Sequence, residues 1–134
     1  MLMEDKRELS ALRMEHAREC LTGAEALLKV KDYRGAANRS YYAVFHAMRA
    51  VLALDGVDMK HHSGIISEFR RRYIKPGFLD KELSEIIQLQ SEYRTSSDYD
   101  DFFLLSKEEV SEQVSSAEQF LSAIEAFLNE KTKP

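Results

Sequence analysis

The sequence predicts an all-α fold: a single domain, 1–134, built as an up-and-down helical bundle of four long helices with one short helix inserted. Three observations predict it. Apolar residues recur three and four positions apart through most of the chain, the period of a helix that buries one face. No stretch alternates apolar with polar residues as a half-buried strand does. Only five Gly and two Pro punctuate the 134 residues, which leaves little for turns.

Each element has its own justification. Leu9, Leu12, Ala17, Cys20, Ala24 and Leu27 share helical spacing and place the first helix at 4–30. Asp32 is a candidate N-cap, its short carboxylate able to accept from free backbone N–H groups; the second helix then runs to Leu54 and stops at Asp55-Gly56. Ser63, after His61-His62, is placed as the cap of a shorter helix that stops at Lys75-Pro76-Gly77. Asp80 caps a fourth helix with Leu83, Ile86, Ile87, Gln90 and Tyr93 as its stripe, and TSSDYDD at 95–101 is read as a turn or loop. Ser106 and Glu109 form a capping box, each side chain satisfying the other's backbone N–H. The last helix follows with Val110, Val114, Ala117, Leu121, Ile124 and Leu128 in a near-heptad stripe.

Composition excludes several functions. Hydrophobic residues make up 44% and charged residues 31%, yet no apolar run approaches the roughly 18 residues of a membrane span. The start MLMEDKRELS lacks the apolar centre of a secretory signal, and the single Cys20 cannot form an internal disulfide, so a cytoplasmic protein is expected. No Gly-rich phosphate loop or zinc-ligand set appears, and no cofactor is expected. His61 and His62 are adjacent and diverge, a poor chelate. Asp98, Asp100 and Asp101 lack calcium-loop spacing and are read as capping and pairing with Arg94. Cys20, on the apolar stripe, is read as a buried thiol.

The net charge of −4 argues against a general nucleic-acid binder, but the charge is uneven. Residues 1–30 carry five basic and six acidic groups, 31–75 nine and four, and 76–134 five and thirteen. The positive third contains NRSYYAVFHA, 38–47. With Arg39 at 0° on a helical wheel, His46 falls at about −20°, Tyr42 at about −60°, Arg49 at about −80° and Asn38 at about −100°. Tyr33, Ala37, Tyr41, Val44, Phe45, Met48, Val51 and Leu52 fill the opposite side and are expected in the core. Ala43 and Ala50 leave room on the polar side for another helix or a ligand. Arg offers a permanent fork for phosphate, His a proton acceptor or donor near neutral pH, and Tyr a hydroxyl and a stacking face. Spacing alone favours a plainer arrangement: Arg39 paired with an acidic group of the bundle, His46 and Tyr42 closing a crevice. Arg70, Arg71 and Arg72, with Lys60 and Lys75, are candidate phosphate contacts on the flank, although a helix turns only part of the triplet toward one ligand.

The run Asn38-Arg39-x-Tyr41-Tyr42-Ala43-x-Phe45-His46-Ala47 resembles the signature of the HEPN superfamily (higher eukaryotes and prokaryotes nucleotide-binding), and in particular its small stand-alone prokaryotic members. The resemblance continues through HSGIISEF (62–69), GFLDKEL (77–83) and SDYDDF (97–102). It implies a helical bundle that dimerises and a metal-independent ribonuclease with an Arg-x4–6-His motif whose residue after the Arg is polar. Here that assigns Arg39 and His46 as catalytic, with Ser40 as the polar residue. Asn38, Ser40, Tyr42 and Arg49 are then expected to contact RNA or a nucleotide, His62, Arg70 and Arg71 to form a phosphate-binding flank, and no metal ligand is expected. The resemblance also implies a toxin-like protein with a small nucleotidyltransferase as an antitoxin-type partner, or a non-catalytic nucleotide-binding or accessory module. Position 48 is Met, so the Tyr that such a partner modifies with AMP in some members, two residues after the motif His, has no counterpart here.

Overall fold

The computed structural model describes residues 2–99 and 104–133. Its elements, in chain order, are α1 (Met3–Lys29), α2 (Tyr33–Leu54), α3 (His62–Phe69), α4 (Lys81–Tyr99) and α5 (Lys107–Lys131), with a π-helical turn at Arg70–Ile74 continuing α3. No strand occurs among the described residues, and none of the helices among them is long and apolar enough to cross a membrane. Four long helices and one short insertion is the bundle expected.

Local chemistry sets most of the boundaries. Asp32 caps α2 by accepting from the Gly35 N–H at 2.9 Å. Gly56, at φ 72, takes the left-handed turn that ends α2, where Val57 N–H reaches back to Leu52 O at 3.0 Å. The capping box at α5 is formed in full: Glu109 N–H donates to Ser106 Oγ, and Ser106 N–H to Glu109 Oε1, both at 3.1 Å. Asp80 accepts from the Glu82 N–H at 3.0 Å at the start of α4.

Two boundaries depart from expectation. Helix α3 begins at His62, with extended His61 as its N-cap residue, so Ser63 lies inside the helix rather than capping it. The His62 ring lies against Phe45 of α2, and the helix starts two residues before the start a Ser63 cap would set. The segment expected as a loop at 95–101 is helical as far as Tyr99, while Asp100 and Asp101 lie outside the described residues. An i,i+4 pair between Arg94 and Asp98 at 3.2 Å supports the extra turn, and Arg34 donates to the carbonyl of buried Ser97.

Helix α2 is the central element, packed against α1, α3, α4 and α5. All of Tyr41, Val44, Phe45, Met48, Val51 and Leu52 are buried, as their side of the wheel requires; Tyr33 is only half-buried. Ala43, Ala47 and Ala50 on α2 and Ala17 and Ala24 on α1 are fully buried, so α1 and α2 meet with small residues along their seam. The neighbour that Ala43 and Ala50 make room for is therefore α1. Leu12 was expected on the buried stripe of α1 but is 62% exposed, and Met14 and Leu21 take its place in the core.

A polar network pins α2 to α4 and α5. Ser40 Oγ donates to Gln90 Oε1 at 3.0 Å, and Gln113 Nε2 donates to the same oxygen at 2.8 Å and to Ala37 O at 3.1 Å. Gln90 Nε2 in turn donates to Gln113 O at 2.8 Å. Ser40, Gln90 and Gln113 are each 0% exposed. Gln113 Oε1 is buried without a partner, but the directional bonds of the network fix register between helices more narrowly than apolar contact does.

Candidate functional site

The Arg39–His46 line of α2 lies along the rim of its seam with α1. Asn38 Oδ1 accepts from Arg39 Nε at 3.3 Å and Nη2 at 3.0 Å, and the guanidinium lies 5.2 Å from the centre of the Tyr42 ring. Its Nη1 is 3.9 Å from Cys20 Sγ of α1. Arg39 is half-buried, and no carboxylate among the described residues pairs with it. The plainer arrangement, Arg39 neutralised by an acidic neighbour, is not found among the described residues.

One turn on, the Tyr42 ring is 6.1 Å from that of His46. His46 is half-buried, and its Nδ1 is buried without a hydrogen-bond partner. Burial first, then the neighbouring positive charges of His16, Arg49, Arg39 and Arg13, push its pKa down to about 4. The ring is therefore neutral at pH 7. Its companion across the seam is His16 of α1: the two imidazoles stack with centroids 4.5 Å apart and planes 13° from parallel, and His16 is exposed.

Next along the line, Arg49 shares Asp58 with Arg13 of α1, at 3.3 Å and 3.4 Å. Arg13, almost fully buried, also donates to Arg49 O at 3.3 Å. Beside them opens a cleft of about 480 Å³ lined by Phe45, Arg49, Asp58, Met59, Lys60 and His62. His62 lies against Phe45 at 4.1 Å, and its Nδ1 shares a hydrogen bond with the Tyr41 hydroxyl at 3.0 Å. Desolvation first, then Arg94 and Arg49, lowers the His62 pKa, while burial pushes the Tyr41 phenol up to about 12. Arg94 of α4 covers this corner from the other side, 5.2 Å from the Tyr41 ring centre and 5.8 Å from that of Tyr42. Asn38, Arg39, Tyr42, His46, Arg49 and His62 thus form one continuous surface of cations and rings. A larger groove, about 750 Å³ between α1 and α5, is lined by Arg7, Met14, Arg18 and Leu128 among others and by none of these six.

Three expected contacts fall elsewhere. Ser40 is turned into the core, where it serves the Gln90–Gln113 network, so it cannot touch a substrate. Arg70 donates to Ser84 Oγ at 3.0 Å and Ser84 O at 3.2 Å. Arg71 pairs with Glu68 at 2.7 Å, and Arg72 with the same carboxylate at 2.8 Å. Arg72 also pairs with Asp55 at the end of α2, at 3.6 Å, so the triplet's contacts are with Glu68, Ser84 and Asp55 and not with the Arg39–His46 line. His16, Arg13 and Arg94 were not expected in the site; on the sequence, His16 is one polar residue of an exposed helical face. Among the described residues no three His, Cys, Asp or Glu side chains gather to hold a metal ion.

Fold and site together define a class: an all-α bundle whose central helix presents an Arg and a His seven residues apart on a basic, aromatic surface. The chain belongs to the HEPN domain family, whose match spans residues 10–127. It is similar to a Thermotoga maritima protein named "UPF0332 protein", with 34% identity over 128 residues, 96% of this chain and 97% of that one. It is also similar to a Methanocaldococcus jannaschii protein named "Putative toxin MJ0142", 37% identical over 133 residues, 99% of this chain and 84% of the other. A second protein of that organism, "Putative toxin MJ0605", is 32% identical over 130 residues, 97% and 96% of the two chains.

Proposed function

We propose that this protein is an endoribonuclease that cuts RNA without a metal ion, with Arg39 and His46 at the reacting phosphate. One observation carries the reading: Arg39 is a half-buried permanent cation, steadied by Asn38 and Tyr42, with no acidic partner among the described residues, on the same helix face as a neutral His46. An unpaired cation on a partly dry surface is a site for an anion. The 2′-hydroxyl attacks the adjacent phosphorus, His46 takes its proton, and Arg39 stabilises the charge that develops on the phosphorane oxygens. Arg49 and the rings of Tyr42 and His62 would hold the flanking phosphate and bases. A homodimer that brings two such faces together would deepen the site, since a single helix rim is shallow.

The toxin names of the relatives support a toxin-like role, with an antitoxin-type partner, and a small nucleotidyltransferase fits that place. The cleft beside Phe45 and His62 also supports a second reading, in which the same surface holds a nucleotide without chemistry. The test is incubation of the protein with RNA in EDTA, beside His46→Ala and Arg39→Ala. Cleavage by the wild type that both variants lose supports the enzyme. Binding of RNA without cleavage across varied sequences supports the module instead.

A further inference from the structure

A base alone does not complete the proposed cleavage. As the 2′-oxygen attacks, the bond from phosphorus to the 5′-oxygen breaks, and that oxygen must leave with a proton. His46 cannot supply it in the same step, because it is receiving one. The ring with no place in the mechanism so far is His16, which lies on the other helix of the seam and is open to solvent.

Building on the ribonuclease reading, we propose that His16 is the general acid of the site: it gives its proton to the departing 5′-oxygen while His46 takes the proton of the 2′-hydroxyl. The products are a 2′,3′-cyclic phosphate and a free 5′-hydroxyl, and the two imidazoles end with their protons exchanged. Three features of the fold support this. First, the ring centres are 4.5 Å apart. Attacking and leaving oxygens belong to one phosphate, so base and acid must stand side by side, as two stacked imidazoles do. Second, the pair is built into the backbone. Fully buried Ala17 on α1 and Ala43, Ala47 and Ala50 on α2 bring the helices close, so that residues on the rim meet. Third, burial and the surrounding Arg13, Arg39 and Arg49 keep His46 neutral, the form that accepts a proton, while His16 faces solvent beside it. Each chain then carries its own base and acid.

The test compares two substrates in EDTA with the full-length protein: an RNA that the wild type cuts, and the same RNA with sulfur replacing the 5′-bridging oxygen at the cut. A thiolate leaves without being protonated, so the acid becomes dispensable. His16→Ala and His16→Gln should slow cleavage of ordinary RNA by about 10²–10⁴-fold, the usual share of general acid–base catalysis, and slow the thio-substituted RNA by less than about tenfold. His46→Ala should slow both substrates to a similar, large extent. Because His16 is exposed, the variants should keep the wild-type circular dichroism spectrum. Wild-type rates on ordinary RNA in the His16 variants would overturn the proposal and assign the proton to another source, such as His46 of a second copy. An equal loss on both substrates would also overturn it, and make His16 a binding or positioning residue. A wild type that cuts neither RNA would refute the ribonuclease reading itself and this proposal with it.

Discussion

Lowering the pH from 7.5 to 4.5 should destabilise the wild-type protein more than its His46→Gln variant, because the folded state holds the His46 ring neutral. Burial and the cations around it take its pKa from 6.5 to about 4. Folded protein therefore binds that proton more weakly than unfolded chain does. Stability is complete above about pH 6.5 and is lost as the pH falls through the window toward about 4. A shift of this size corresponds to about 3 kcal/mol at most, and screening of a partly exposed ring leaves about 1–2 kcal/mol by pH 4.5. Gln removes the titrating ring while keeping a polar side chain of similar reach. Glu68, held low by Arg71 and Arg72, and Glu109, held low by Ser106, also weaken the fold in acid, but equally in both proteins. His62 likewise titrates in both. Urea unfolding of each protein at the two pH values isolates the difference. Equal acid sensitivity in wild type and variant would refute the claim that the fold suppresses the charge on His46.

Other substitutions probe the seam and the core. Gly23 sits inside α1, and a Cβ there would meet Arg39 Cγ and Cδ at 3.8 Å, an ordinary contact. Gly23→Ala should therefore add about 0.5–1 kcal/mol in thermal unfolding and leave RNA cleavage unchanged. Gln113→Leu should cost about 1–3 kcal/mol in urea unfolding, because it removes the buried amide that donates to both Ala37 O and Gln90 Oε1 and ties α5 to α2 and α4. RNA binding should weaken with salt: two or three phosphate contacts at about −0.7 each in logarithmic slope give about 7- to 18-fold between 50 and 200 mM, and Arg39→Ala should flatten the slope by about one contact.

Much of this was legible in the sequence because helices announce themselves locally. The caps at Asp32 and Ser106 need residues only three positions apart, and the buried face of α2 follows from its period. The same locality explains the misses. TSSDYDD has the composition of a turn, but the local Arg94–Asp98 pair and the contact of Arg34 with the Ser97 carbonyl carry the helix through Tyr99, and the second depends on tertiary packing. Ser40 is one polar residue among several on α2; only the arrival of Gln90 and Gln113 from other helices shows that it belongs to the core. The line Arg39–Tyr42–His46 could be drawn on a wheel, since all three share one helix. His16 and Arg13 could not, because nothing in α1 alone marks which exposed or polar residues will face α2.

The central claim, that the α1–α2 rim cleaves RNA through its own 2′-hydroxyl, is tested most directly by one pair of substrates. An RNA that the wild type cuts in EDTA is compared with the same RNA carrying a single 2′-deoxy sugar at the cut position. Ordinary RNA should yield fragments ending in 2′,3′-cyclic phosphate, the deoxy-substituted bond should stay intact, and His46→Ala should cut neither. Equal cleavage of the deoxy-substituted bond, or undiminished cutting by His46→Ala, would contradict the claim.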